Sequence, residues 1–371
     1  MSAQSIDLVL LPGDGVGPEI IAAAESVLKS ICLRFNLNVI TEMLRVGGAA
    51  IDAFGTPLRD QDLDRCCKAD AVLLGSVGGP KWDNPDARVR PEQGLLRLRR
   101  GMGLYANLRP VKVMPAISGS APIKPEILDG VDMLVVRELT GGVYFGRPRR
   151  SWRERRGRVA LDTLIYREHE VERICRLAFG FARDRKRKVT SVDKANVLDT
   201  SRLWRSVATA IAKDYLDIEL EHALVDSMAM HIIREPARFD VVVTENMFGD
   251  ILTDEASVLA GSIGVLPSAS IGITRGPRDH RRRGVYEPIH GSAPGIAGLN
   301  VANPVGTILS LAMLFRISLD LETPATAIED AVASVINRDV RTADITSAGF
   351  KPVSTASFGD AVAERINQMD C

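Results

Sequence analysis

Short apolar runs that end near glycine and pass into helix-patterned segments recur along this chain, and that alternation constrains its fold more than any other feature. IDLVLL (6–11) leads into PGDGVGPE, and residues 19–32 then carry apolar side chains at helical spacing. DAVLLGSVGGP (70–80), VDMLVVRELTGG (131–142), KVTSVDKANVL (188–198) and FDVVVTENMFGD (239–250) repeat the pattern, with helix-like EVERICRLAFGFARD (170–184) among them. Such alternation predicts an α/β fold with a largely parallel sheet. LPSASIGI (266–273) followed by VYEPIHGSAPGIAG (285–298) reads as strand and loop. VGTILSLAMLFRISL (305–319) and TAIEDAVASVINR (326–338) read as amphipathic helices closing the chain.

A chain of 371 residues favours two domains or one large α/β unit. Lysine plus arginine and aspartate plus glutamate both number 47, so net charge gives no reason to expect nucleic acid or an anionic membrane as partner. The five cysteines (Cys32, Cys66, Cys67, Cys175, Cys371) form no C-x-x-C pair, which argues against a disulfide framework or a zinc knuckle and fits a reducing cytoplasm. MSAQS passes at once into IDLVLL, leaving no room for a leader, and no apolar run reaches membrane-spanning length. RPRRSWRERRGR (147–158) has seven arginines and reads as an exposed loop or arm; RRR (281–283) reads as part of a polar connection.

GDGVG (13–17) after a strand invites a dinucleotide-fold reading, but the third glycine of G-x-G-x-x-G would be residue 18, which is Pro18. A structural turn is the better reading. More chemistry lies in TENMFGDILTDEAS (244–257), where Asp250 and Asp254 sit at i and i+4 beyond an apolar run. On a helix both carboxylates share one face. That is either a solvated face or a site for a hard cation, and oxygen-only ligands suit Mg²⁺ or Mn²⁺. Asp226, in HALVDSMAM, is a further carboxylate after an apolar run. Arg99, Arg109 and Arg137 offer guanidinium forks for a substrate with more than one carboxylate, set against ordinary salt bridging; the apolar VDMLVV before Arg137 favours the first. Lys194, near the end of an apolar run, suits a general base, and Tyr144 suits either a proton donor or core packing.

Taken together, GGAAIDAFG, LLGSVGGPKWD, ANLRP, VRELTGGVYFG, VDKANVL, FGDILTDEAS, LPSAS and EPIHGSAP resemble the ordered blocks of the β-hydroxyacid oxidative decarboxylases. The similarity spans nearly the whole chain. It implies a two-domain fold of the isopropylmalate/isocitrate dehydrogenase type, distinct from the Rossmann fold, with residues 1–104 and 261–371 in one domain and 105–260 in a central, dimer-forming one. It implies an NAD-dependent homodimer with shared active sites, in which Asp250, Asp254 and the partner subunit's Asp226 hold Mg²⁺ or Mn²⁺ and Lys194 crosses the interface. The cofactor site would then be lined by Glu287, His290, Gly291, Ser292, Ala293, Gly295, Ile296 and Asn303. Substrate choice would rest on Glu92, Leu95 and Leu96, at i, i+3 and i+4: leucines leave a third carboxylate unpaired but welcome an isopropyl group, unless they simply pack inward. The family's loop carries aspartate where this chain has Gly295, which implies weaker NAD binding and blunted discrimination against NADP. Two alternatives remain at this level: a paralogue acting on a related malate or tartrate, and a weakly active homologue with a binding role.

Overall fold

The structure is a computed structural model that describes residues 5–84, 87–276, 279–347 and 349–369. The leader reading at residues 1–4 and the cysteine reading at Cys371 fall outside the described residues. The chain forms two compact units: Met1–Leu104, Met114–Pro122 and Ala260–Cys371 make the first, and Tyr105–Val113 with Ile123–Leu259 the second. The sequence boundary at 104/105 therefore misses an excursion, because residues 114–122 return to the first unit.

In the first unit β1 (Ile6–Gly13) is followed by α1 (Gly17–Phe35), β2 (Val39–Met43), α2 (Gly48–Phe54), α3 (Asp60–Lys68), β3 (Ala71–Ser76) and α4 (Glu92–Gly101). Gly13 (φ 72°) has to be glycine, since a Cβ would lie 1.8 Å from the Ser76 carbonyl oxygen. Pro18 stands in the first turn of α1, where its missing N–H costs nothing. Asp14 is buried beside this turn and accepts backbone N–H groups of Gly48 and Ala49 at 2.7 Å and of Gly78 at 2.8 Å. One carboxylate thus ties the start of α2 to the loop after β3.

The second unit contains β4 (Ala106–Lys112), α5 (Pro125–Leu128), β5 (Asp132–Glu138), β6 (Arg150–Glu154), β7 (Gly157–Leu161), α6 (Glu168–Arg183), β8 (Lys188–Asp193), α7 (Asp199–Ala212), β9 (Glu219–Leu224), α8 (Val225–Arg234), β10 (Val241–Thr244) and α9 (Asn246–Ser257). Its sheet runs β4-β5-β10-β8-β9, parallel except for β4. Helices on its faces explain why β5, β8 and β10 read as continuous apolar runs. Of the loop and arm readings of the arginine-rich stretch, the structure gives an exposed arm with strand pairing: β6 and β7 pair antiparallel, with Trp152 opposite Val159 and Arg153 opposite Arg158. Arginine masked the alternation there, and Gly157 (φ 133°) marks the turn.

The chain returns to the first unit as β11 (Pro267–Gly276), β12 (Asp279–Pro288), α10 (Val305–Ile317), α11 (Glu322–Asn337) and α12 (Thr355–Gln368). The sheet here is β2-β1-β3-β12-β11, with only β11 antiparallel to its neighbour. Residues 281–283 belong to β12 and not to a polar connection; Arg282 donates to the Gly272 carbonyl at 3.0 Å. α10 is buried on nearly every side, with only Leu309, Arg316 and Ile317 partly exposed, so it is a core helix and not an amphipathic one. α12 was not expected at all. Its Phe358, Val362 and Ile366 are buried, each worth about 1.5–3 kcal/mol, and Gly359 lets it approach α1 at Ala23.

Candidate active site

The site in the second unit is built along one face of α9. Glu245 caps this helix, its carboxylate accepting the Phe248 N–H at 2.6 Å. Asn246, Asp250, Thr253 and Asp254 then fall at i, i+4, i+7 and i+8. Arg137, 4% exposed in β5, lies across the first turn of α9. Its Nε and Nη2 donate to Asn246 Oδ1 at 3.0 and 2.8 Å, and its Nη1 donates to Asp250. Gly249 makes room for it: a Cβ there would meet Arg137 Cγ at 2.6 Å. Arg109, 8% exposed in β4, donates through Nε to Asn107 Oδ1 at 2.8 Å and through Nη1 to Thr253 Oγ1 at 2.6 Å and Asp254 Oδ1 at 3.3 Å.

Burial acts to raise the Asp250 carboxyl, but the charges of Arg137 and Arg109 outweigh it and hold the group below the usual carboxylate range. Tyr144 donates to Asp250 Oδ2 at 2.9 Å. Burial, then this hydrogen bond and the Asp250 charge, push the phenol above its ordinary range, so it stays protonated at neutral pH. The structure therefore brings Arg109, Arg137, Tyr144, Asp250 and Asp254 together. It places Lys194 elsewhere in the same chain, just past β8, bonded to Asp226 Oδ1 at 2.7 Å. That bond holds Asp226 below the usual carboxylate range. Among the described residues of one chain, no group of three acidic, histidine or cysteine side chains is assembled to hold a metal.

The donor chemistry nonetheless suits a hard cation. Asp250 and Asp254 offer only oxygen, and their side chains are 35% and 65% exposed.

In the first unit Arg99, on α4, donates through Nη2 to Glu287 Oε1 at 2.6 Å, and its Nε is buried without a partner among the described residues. On the same helix Leu95 packs against the core around Leu74, Leu98 and Val285, whereas Glu92 and Leu96 are exposed. The inward-packing alternative thus applies to Leu95 and not to Leu96.

The loop after β12 leans on the start of α1. The Val16 N–H donates to the Ser292 carbonyl at 2.9 Å, and a Cβ on Gly15 would fall 1.9 Å from that oxygen. Ala293 and Ala297 pack on Val16 and Ile20. The space a dinucleotide phosphate takes in front of a Rossmann helix is filled by protein, which is the physical reason the broken fingerprint is a turn. The loop itself suits a polar ligand. His290 Nδ1 donates to the Gly291 carbonyl at 2.8 Å and its Nε2 is buried with no partner among the described residues; burial pushes this imidazole down toward its neutral form. Gly291 and Gly295 face open space, and Ile296 is exposed. Asn303 is held by Asp344, which accepts from its Nδ2 at 2.9 Å.

Sequence reasoning passed over Asn107, Asn246, Gly249 and Thr253. Spacing along α9 could have found three of them, since they stand at i−4, i−1 and i+3 from Asp250. Asn107 had a weaker signal, sharing a strand face with Arg109 two residues on.

Residues 7–362 match the isocitrate/isopropylmalate dehydrogenase family. The chain is 54% identical to a 3-isopropylmalate dehydrogenase of Saccharophagus degradans, over 98% of this chain and all of that one. It is 57% identical to a 3-isopropylmalate dehydrogenase of Anaeromyxobacter dehalogenans, over 97% of this chain and 99% of the relative. Among solved structures, an isocitrate dehydrogenase from Methylococcus capsulatus superposes with a TM-score of 0.84 at 34% identity, covering 98% of this chain and 100% of that one.

Proposed function

The chain belongs to the isocitrate/isopropylmalate dehydrogenase family, and on that footing we propose that it converts 3-isopropylmalate and NAD to 4-methyl-2-oxopentanoate, CO₂ and NADH, a step of leucine biosynthesis. The observation that carries this reading is identity above one half with relatives of that activity along nearly their whole length. Leu96 of α4 is in keeping with the isopropyl substituent: it is exposed, and its apolar side chain offers nothing to pair with a third carboxylate.

Arg109 and Arg137, which meet on α9, hold substrate carboxylates through charge-assisted hydrogen bonds. Asp250 and Asp254, with the partner subunit's Asp226, would hold Mg²⁺ or Mn²⁺, which when bound supplies Lewis-acid polarisation of the 2-hydroxyl and its carboxylate. The loop residues Glu287, His290, Gly291, Ser292, Ala293, Gly295, Ile296 and Asn303 would hold NAD, which when bound supplies the hydride acceptor. Lys194 of the partner subunit takes the hydroxyl proton, directly or through water. Tyr144, kept protonated beside Asp250, returns a proton to the carbon that loses CO₂. The site is therefore incomplete in a lone subunit, and the homodimer is the working unit.

A spectrophotometric assay of NADH formation with 3-isopropylmalate and Mg²⁺ tests the reading, with EDTA as control and malate, tartrate and homoisocitrate alongside. Faster turnover of another acid in that panel would replace the substrate. Absence of any metal-dependent turnover would leave a binding role. Lys194→Ala should lose at least about a hundredfold in kcat, the lower end of general-base contributions, and normal turnover in that variant would remove Lys194 from the mechanism.

A further inference from the structure

Two asparagines stand in the same relation to two arginines. Asn246 Oδ1 accepts from Arg137 Nε and Nη2, and Asn107 Oδ1 accepts from Arg109 Nε. In each case the amide oxygen takes the inner edge of the guanidinium, and the outer nitrogen Nη1 reaches the acidic face of α9, at Asp250 and Asp254 respectively. Both amides are held fast: Asn107 is 0% exposed and Asn246 1%. Asn246 is also fixed from behind, its Nδ2 donating to the Gly141 carbonyl at 3.3 Å and its backbone N–H to the Tyr166 hydroxyl at 2.9 Å. That hydroxyl in turn donates to Glu245 at 3.2 Å.

An asparagine is the chemically apt choice. A carboxylate in its place would add charge beside Asp250, and an aliphatic residue would leave buried N–H donors unpaired. A neutral oxygen aligns the guanidinium plane without neutralising the charge that the substrate carboxylate needs.

We propose that Asn246 and Asn107 are positioning residues, each setting the plane of one substrate-binding arginine, Asn246 that of Arg137 and Asn107 that of Arg109. This rests on the assignment of those arginines to the substrate carboxylates. The test is a set of mutant cycles read as substrate kcat/KM and as the KM for NAD. Arg137→Lys and Arg109→Lys keep the charge but remove the Nε–H and the planar fork. Asn246→Ala, which removes the acceptor of two hydrogen bonds from Arg137, should lower substrate kcat/KM by about tenfold to a hundredfold, the scale set by hydrogen bonds to a charged group, with the KM for NAD unchanged. Added to Arg137→Lys it should cause no further loss, whereas added to Arg109→Lys the two losses should multiply. Asn107→Ala should show the reverse pairing. Asn246→Ser is the second variant where alanine fails to fold, since its shorter side chain withdraws the acceptor. Losses that multiply within each matched pair, or equal changes in both KM values, would overturn the proposal as a mere effect on folding. A harmless Arg137→Lys would instead sink the carboxylate assignment beneath it.

Discussion

Gly249→Ala separates stability from catalysis. Gly249 stands inside α9, where alanine would gain roughly 1 kcal/mol in helix propensity. The added Cβ, however, would meet Arg137 Cγ at 2.6 Å, Cβ at 2.9 Å and Cδ at 3.1 Å. Nonbonded carbons rest at about 3.5–4.0 Å, so the arginine stem has to retreat by on the order of 1 Å. Overpacking of this kind costs about 1–3 kcal/mol, and after the propensity gain the net loss of stability is about 0–2 kcal/mol. The guanidinium cannot retreat and still bond both Asn246 and Asp250, so the substrate carboxylate meets a misplaced fork. A displacement of ~1 Å can cost about a hundredfold in rate. Urea unfolding should therefore show a small shift, while kcat/KM for 3-isopropylmalate falls about a hundredfold and the KM for NAD holds. A variant with kcat/KM within about threefold of the parent would refute the account, because Arg137 would then tolerate the crowding that the geometry forbids.

Gly359→Ala, where a Cβ would sit 2.8 Å from Ala23 Cβ, should destabilise by about 0–2 kcal/mol in urea melts without altering either KM. Gly295→Asp meets open space, so it should fold normally; by restoring a carboxylate for the ribose hydroxyls it should raise the NAD-over-NADP ratio of kcat/KM by about tenfold or more, and an unchanged ratio would remove residue 295 from cofactor choice. Burial pushes the Cys66 and Cys175 thiols up to about 12. Both should therefore stay thiols at pH 8 and resist a thiol reagent in the folded protein, becoming reactive only on unfolding; rapid labelling of either under native conditions would contradict their burial.

Local information carried part of this architecture into the sequence. The parallel strands were legible because a strand covered on both faces is apolar throughout, and FDVVV, VDMLVV and DAVLL show it without help from neighbours. The paired carboxylates of α9 were legible for the same kind of reason: Asp250 and Asp254 lie on one chain segment, and helical spacing alone places them together. The hairpin at 150–161 escaped because charged side chains hid its alternation, and α12 because its helix begins among serine, threonine and glycine and its apolar row, Phe358, Val362 and Ile366, is thin.

What tertiary structure decided is which groups meet. Arg137 and Asn246 are 109 residues apart, and Arg99 and Glu287 are 188 apart. No periodicity relates positions at such separation, because the pairing is set by how the strands are ordered in the sheet and where each helix lands on it. The chain's own composition and spacing thus determined an α/β enzyme scaffold with an acidic helix beyond a buried strand. The packing of distant segments decided that two arginines would lie on that helix, each held at its inner edge by an amide oxygen.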